Sequence, residues 1–332
     1  MTSFAKAIID WQKVHGRHDL PWQNTTDPYA IWVSEIMLQQ TQVAAVIGYY
    51  DRFMRRFPDI DALSKATQEE VLQYWSGLGY YSRARNLHNA AQKIIDDFHG
   101  IFPQDFEDIL TLPGIGKSTA AAISTFAFNQ PMPILDGNVK RVFARHFNIH
   151  GWPGTPRVEQ AMWQIAHREN PADDAVAYTQ GLMDLGATLC SRSRPRCDAC
   201  PVKSTCQGLA QNLISQLPTP KPKQAIPQRN CVMLVHYHAG EVLLEKRAST
   251  GIWGGLWSFP EVENIPDDAE LLPALTHTFT HFKLQIQPAL IFDKRQSNAP
   301  NTLWLTPDEA LEAAIPTPIR KILQTLKTKK AA

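Results

Sequence analysis

The sequence has no apolar run near the ~18 residues a membrane-spanning helix requires, and its charges almost cancel, leaving a formal net charge of +1. The first absence excludes a transmembrane helical protein. The second removes the global basic character that advertises many nucleic-acid-binding chains, so such a role has to be argued from local features. Cysteine is scarce outside one stretch: four of the five lie between Cys190 and Cys206, and Cys231 stands alone. An odd count gathered in this way argues for a metal site plus one free thiol, not a disulfide framework. No repeat of roughly 20–50 residues is present, which excludes solenoids and propellers. The one biased tract is a short basic tail at Lys327, Lys329 and Lys330. Lys6 and Asp10 break the only apolar stretch at the N-terminus, and no small-residue cleavage site follows, so a secretory signal is not read there. The expected location is intracellular, cytoplasmic and reducing.

What is present fits a globular chain. Its 332 residues, 44% hydrophobic and 20% charged, suffice for about two domains with cores of their own. Residues 1 to about 206 predict helices. Phe4, Ile8 and Trp11 keep i, i+4, i+7 spacing, Thr67 and Glu70 form a capping box before Val71 and Leu72, Thr155-Pro156 suits a helix start, and Ala120–Ala122 favours helix. The stretch 217–227, LPTPKPKQAIP, holds four prolines and reads as an extended linker. Beyond it, Cys231–Tyr237, Val242–Leu244, Leu284–Phe292 and Thr302–Leu305 predict strands, with Ala239-Gly240 turning between the first two. Pro288 should make the third an edge or broken strand. Helices return at Pro307–Ala314, with Thr306 and Glu309 as a capping box, and near Ile319–Leu326. The division is therefore 1–216 mainly α, 217–228 linker, and 229–332 α+β.

Three local patterns carry chemistry. Cys190, Cys197, Cys200 and Cys206 are spaced C-x6-C-x2-C-x5-C. Four thiolates in one loop can enclose a [4Fe–4S] cluster; the alternative, a structural zinc site, usually uses two closely spaced pairs, and the first gap here is six residues. Arg192, Arg194, Arg196 and Lys203 in this loop would offset the thiolate charge and meet phosphates. Cys231 sits in an apolar strand and reads as an inert core residue. The second pattern is LPGIGKS at 112–118, ahead of a helix-favouring run. Gly114 and Gly116 permit a tight turn and close backbone approach, and the N–H groups beyond them suit a phosphate. A helix–hairpin–helix over about 106–124 fits. A P-loop needs a glycine at position 111, which is Thr, and a preceding strand, whereas Phe106–Leu110 predicts a short helix. An ordinary interhelical turn is the third reading.

The third pattern is a pair of carboxylates. Residues 29–47, YAIWVSEIMLQQTQVAAVI, predict one apolar helix in which Glu35 and Gln39 share a face. A carboxyl beside Ile31, Ile36 and Leu38 would be desolvated, raising its pKa toward that of a general acid; a solvated face of an amphipathic helix is the equal alternative. Asp136, in PMPILDGNVKRV, stands where a helix begins. It either caps that helix or is a functional carboxylate fixed by the cap position.

LPWQ (20–23), WVSEIMLQQTQV (32–43), GLGYYSRARN (77–86), LPGIGKSTAAAI (112–123), LDGNVKRV (135–142), the cysteine loop, WGGLWSFPE (253–261) and HTFTHF (277–282) together resemble the MutY family of adenine DNA glycosylases, in the helix–hairpin–helix, endonuclease III-like superfamily. The resemblance covers almost the whole chain. It implies a mainly α helix–hairpin–helix glycosylase domain with a [4Fe–4S] loop at 190–206, followed by an α+β Nudix-like domain that recognises 8-oxoguanine. It implies that Glu35 protonates adenine, that Asp136 stabilises the oxocarbenium-like sugar, and that Asn138 helps position Asp136 and water. Gln39, Gln40, Leu78 and Tyr80 would wedge into the duplex, while Gly114, Gly116 and Lys117 grip its backbone. Phe279, Thr280 and His281 match a Phe-Ser-His loop that senses 8-oxoguanine, with Thr in place of Ser. Relatives that cleave the strand carry a Schiff-base Lys where this chain has Ser118; Ser cannot form an imine, and Lys117 would point elsewhere. The implied enzyme is a monofunctional, monomeric, base-flipping glycosylase acting on A:8-oxoguanine or A:G mispairs in double-stranded DNA. The acidic box of Nudix hydrolases is missing after Gly254-Gly255, so nucleotide hydrolysis is not expected. A pyrimidine-specific glycosylase/lyase and a non-catalytic iron–sulfur protein are the competing readings.

Overall fold

The computed structural model describes residues 1–222, 225–292 and 300–330. Two linker residues, Lys223 and Gln224, lie outside the described residues, as do the side chains of Lys329 and Lys330 in the basic tail. The chain forms two compact units, Met1–Ser64 with Asn89–Lys223, and Lys65–His88 with Gln224–Ala332. A stretch of the helical N-terminal half, 65–88, thus groups with the C-terminal half. No helix among the described residues is long and apolar enough to cross a membrane.

The first unit is helical. Its N-terminal helix, Ser3–His15, starts at Thr2, whose hydroxyl accepts from the Ala5 N–H at 3.1 Å. It buries Phe4 and Ile8 and packs against Ala175–Asp184. Those residues join Val139, Phe143, Met162 and Leu182 in one apolar core, each such side chain contributing about 1.5–3 kcal/mol through its removal from water. The stretch 29–47 is two helices, not one: Pro28–Leu38 and Val43–Arg56. Gln39 leaves helical backbone with ψ 113, and Gln40 takes a φ of +56. The four residues Gln39–Gln42 offer no apolar face to bury, so nothing holds the helix through them. Gln39 is thus the C-cap of the first helix, four residues after Glu35. Thr155 stands at the start of Pro156–Glu169 but makes no side-chain cap; its hydroxyl donates backward to the Trp152 carbonyl at 3.0 Å.

Among the described residues, the second unit is built on a mixed sheet of eight strands: β1 Gln228–His238, β2 Glu241–Lys246, β3 Trp257–Ser258, β4 Glu261–Val262, β5 Glu270–Leu271, β6 Leu275–Thr278, β7 Lys283–Phe292 and β8 Thr302–Leu305. The order is β3-β2-β1-β7-β5, with β4 on β1, β6 on β7 and β8 on β2. Ala239 (φ 48) and Gly240 (φ 97) turn β1 into β2, the paired left-handed conformations of a two-residue hairpin loop. β7 is not an edge strand: it pairs in parallel with β1, from Gln228↔Lys283 to Tyr237↔Phe292, and antiparallel with β5 and β6. Pro288 continues the register of β5: its carbonyl accepts from Leu272 N at 3.0 Å. The Leu272 carbonyl, which a backbone donor at 288 would face, accepts from Gln287 Nε2 at 2.8 Å instead, so the missing donor leaves no acceptor unmet. Helices Pro307–Glu312 and Thr317–Lys330 complete the unit, the former opened by a full Thr306/Glu309 capping box. In the segment 65–88, Thr67 accepts from Glu70 N at 3.2 Å to open the helix Gln68–Trp75.

Candidate active site and cysteine loop

Helix Pro28–Leu38 is fixed at its start by Asp27, which accepts from Tyr29 N, and by Pro28 in its first turn. Tyr29, Ile31, Trp32, Val33, Ser34, Ile36 and Met37 are all buried, so no solvated face remains for Glu35. Glu35 keeps some accessible surface and lines a cavity of about 1760 Å³ within the helical unit. Burial pushes its carboxyl up to about 8, and the charge of Asp136 acts in the same direction. Asp136 is the N-cap of the helix Gly137–His146. Its Oδ1 accepts from Val139 N at 2.7 Å, and its Oδ2 accepts from Asn138 Nδ2 at 3.1 Å. Burial raises its pKa, while those bonds and the Arg141 guanidinium pull it back. The same cavity is lined by both carboxylates and by Asn138, Ser118, Gly116 and Gln39. Two acidic groups a hundred residues apart in the chain thus meet at one opening, differently supported: one crowded by apolar side chains, the other tied down by donors.

The hairpin that carries Ser118 is a helix, Phe106–Leu110, a turn, and a helix, Lys117–Phe128. A helix rather than a strand precedes the glycines, which removes the P-loop reading. Gly114 takes φ +82 in the turn, where a side chain would be strained. Gln39 reaches this hairpin, its Nε2 lying 3.3 Å from Thr119 Oγ1 and 3.4 Å from the Gly114 carbonyl. Lys117 also lines the cavity. Exposed Gln40 lies on the rim at the break between the helices.

Four residues of this region carry no local signal in the sequence. Arg141 donates to Asn138 Oδ1 at 2.9 Å, to the Gly186 carbonyl at 2.6 Å and to the Cys190 carbonyl at 2.7 Å, joining the Asp136 side of the cavity to the cysteine loop. Gly186 lies against Asn138, where an added Cβ would stand 2.5 Å from the Asn138 Cβ. Arg17 is held by fully buried Asp184, which accepts from its backbone N–H at 2.8 Å and its Nε at 2.7 Å; Gln180 donates to the same carboxylate. Arg17 and Gln180 line a second cavity of about 540 Å³, with Leu20 and Trp22, and Glu35 borders both cavities. Arg17 and Asp184 lie 167 residues apart and Arg141 and Gly186 lie 45 apart, so neither pairing leaves a local spacing to read.

Cys190 follows a π-helical turn, Leu185–Leu189, and Cys197 and Cys206 flank short 3₁₀ turns. All four cysteines line one pocket walled by Val142, Leu185, Leu189 and Val202. Buried Arg145 crosses it, donating to Cys190 Sγ at 3.4 Å and to the Ser191, Arg192 and Leu217 carbonyls. No three His, Cys, Asp or Glu side chains among the described residues are placed to hold one metal ion. Four thiols lining one pocket are the donor set that a [4Fe–4S] cluster would take. Cys231 is half-buried in β1, and burial pushes its thiol up to about 11.

Leu78, Tyr80, Phe279, Thr280 and His281 belong to the other unit. Leu78 is buried and Tyr80 is 44% exposed at φ +49. Phe279 stacks on Phe282, with ring centroids 4.5 Å apart, beside Trp253 and His277. Thr280 and His281 are exposed at the β6–β7 turn, 3.3 Å apart.

Residues 33–168 match the family described as HhH-GPD superfamily base excision DNA repair protein, and residues 231–325 match the NUDIX domain family. The adenine DNA glycosylase of Buchnera aphidicola subsp. Baizongia pistaciae is 38% identical over 98% of this chain and 97% of its own length. The human adenine DNA glycosylase is 32% identical over 98% of this chain and 74% of its own. Among solved structures, a thermostable thymine-DNA glycosylase superposes with a TM-score of 0.57 at 30% identity, covering 63% of this chain and 95% of its own. Near-complete alignment at this identity, on a helix–hairpin–helix unit joined to a Nudix-like one, places the chain in the adenine DNA glycosylase family as a DNA N-glycosylase.

Proposed function

We propose that the chain excises adenine mispaired with 8-oxoguanine or guanine, by acid-assisted hydrolysis of the glycosidic bond. The carrying observation is that Glu35 and Asp136 line one cavity, both raised by burial, with Asp136 pulled back by hydrogen bonds and Arg141. A carboxyl raised to about 8 is protonated at neutral pH and can donate to the leaving adenine. A carboxylate that accepts two hydrogen bonds and faces Arg141 is disposed to offset positive charge developing on the sugar. The target nucleotide must leave the helix to reach them, at a cost of a few kcal/mol. The cavity beyond Glu35, lined by Leu20, Trp22 and Gln180, has room for the purine, while the larger one takes the sugar and flanking backbone near Gly116, Lys117 and Ser118. Asn138, held by Arg141, orients Asp136 and an attacking water. Gln39, Gln40, Leu78 and Tyr80 fill the gap left in the stack, Gly114 helps grip the backbone, and Phe279, Thr280 and His281 read the opposite base. Cys190, Cys197, Cys200 and Cys206 hold a [4Fe–4S] cluster whose contribution is to fix the loop that abuts Arg141. Both carboxylates come from one chain, which suits a monomer acting on intracellular DNA.

The test is base release from A:8-oxoguanine duplex under single turnover. Glu35→Gln should bind this duplex and release no adenine; unimpaired release removes the proposed acid. A glycosylase/lyase is the second reading, favoured only by the presence of Lys117 in the cavity wall. Borohydride should trap no protein–DNA adduct if the chain is monofunctional.

A further inference from the structure

Residues 76–81 join the helices Gln68–Trp75 and Ser82–Phe98 through a turn with three left-handed residues, one of them not glycine. Gly77, Gly79 and Tyr80 take φ values of +100, +78 and +49. Glycine adopts such angles freely, but Tyr does so only where its surroundings enforce it. Leu78 and Tyr81 are 8% exposed, whereas Tyr80 is 44% exposed, so the strain presents a single aromatic ring.

The enforcing contacts come from the C-terminal half of the same unit. Ser76 Oγ donates to the Ile315 carbonyl at 2.9 Å. Tyr81 Oη donates to that carbonyl at 3.3 Å and accepts from Gly77 N at 3.2 Å. Arg320 Nη2 donates to Ser76 Oγ at 3.3 Å. The Gly79 carbonyl accepts from Trp75 Nε1 and Arg83 Nη2, both at 3.1 Å, and the Arg83 guanidinium lies 5.5 Å from the Tyr80 ring centre. The flanking helices are tied to the same half. Glu69 accepts from Lys246 Nζ and Trp257 Nε1 at 2.6 Å, and Gln73 donates to the Glu312 carbonyl at 2.9 Å. Arg85 donates to the Gly254 carbonyl at 2.9 Å, next to Trp253, whose ring lies against Phe279.

We infer that the C-terminal unit clamps the turn 76–81 in the shape that projects Tyr80, with Ser76 and Tyr81 as positioning residues for insertion into the duplex. The inference rests on the proposed entry of Tyr80 into the stack. It adds that the module bearing Phe279, Thr280 and His281 also holds the inserting residue, so reading the opposite base and extruding the target are mechanically joined through Gly254 and Ile315.

The experiment uses full-length protein and a duplex with 2-aminopurine opposite 8-oxoguanine, whose fluorescence rises on extrusion. It compares wild type, Tyr80→Ala, Ser76→Ala/Tyr81→Phe, and the triple variant. The double variant keeps the Tyr81 ring, and amide exchange of the core residues 139–144 checks that the fold is retained. Exchange at 77–81 in the free double variant should speed up, and its extrusion equilibrium should fall by at least about five-fold, the effect of losing one hydrogen bond of ordinary strength. The triple variant should be no worse than Tyr80→Ala, since the clamp acts through that ring. Unchanged exchange at 77–81 overturns the clamp. Altered exchange with normal extrusion, while Tyr80→Ala is defective, overturns the positioning role, as do additive defects in the triple variant. Normal extrusion by Tyr80→Ala sinks instead the insertion reading on which the inference stands.

Discussion

Asp136 divides two tasks between two oxygens: Oδ1 caps a helix, while Oδ2 is held by Asn138. Asn caps helices as well as Asp does, so Asp136→Asn separates the tasks. Its unfolding free energy should stay within about 0.5 kcal/mol of wild type, while single-turnover release falls by about 100-fold or more as the negative charge is lost. At Glu35 the sign of the pH effect is set by a folded pKa of about 8, above the ordinary 4.5. The folded state therefore holds this proton more tightly than the unfolded one. The Glu35 contribution to stability is fully present below about pH 4.5, declines as pH rises toward 8, and is level beyond. Glu35→Gln should abolish that decline and be more stable than wild type above pH 8, by a margin on the order of 2 kcal/mol once solvent in the cavity is allowed for. Melting curves across this range check it. Excision by wild type should fall about ten-fold per pH unit above 8. Gly186→Ala should push Asn138 aside, since its Cβ has no room. It is expected to cost about 1–3 kcal/mol in stability and to slow release more than binding.

Among the elements, β7 shows how a local rule yields to tertiary placement. Proline is disfavoured within a sheet because it withholds a donor, yet the carbonyl facing Pro288, that of Leu272, is met by the Gln287 side chain. Pro288→Val should change stability by no more than about 0.5 kcal/mol in denaturant melts, because that carbonyl already has a donor; a gain of more than about 1 kcal/mol would show that the side-chain donor is no substitute. The break at Gln39–Gln42 has the opposite lesson. The apolar run of 29–47 was legible, but its division at the polar Gln39–Gln42, where Gln39 meets Gly114 and Thr119 across the unit, was not. The hairpin itself was largely legible: the expected 106–124 takes in Phe106–Leu110 and all but the last turn of Lys117–Phe128.

At the scale of the whole molecule, the helical half is not a self-contained block of sequence. Residues 65–88 find partners beyond the linker: Glu69 with Lys246 and Trp257, and Ser76 and Tyr81 with Ile315. A chain ending at residue 222 should still carry the four cysteines and both carboxylates. It is expected to show faster amide exchange across 69–85 than the full chain, by about ten-fold or more for bonds that lose their acceptor. Equal protection in both proteins would argue that these contacts contribute nothing.

By itself the sequence determined the element types, the cysteine quartet, the glycine turn and the two acidic positions, since each depends on short-range spacing, capping chemistry or residue type. Tertiary structure decided what those residues could do. Only burial from every side of the helix Pro28–Leu38 turned Glu35 from a residue with two readings into a carboxyl held near pKa 8. Only packing brought Asp136, Arg141, Gly186 and Asp184 into its neighbourhood. Desolvation and convergence are properties of a closed core, and no window along the chain contains them.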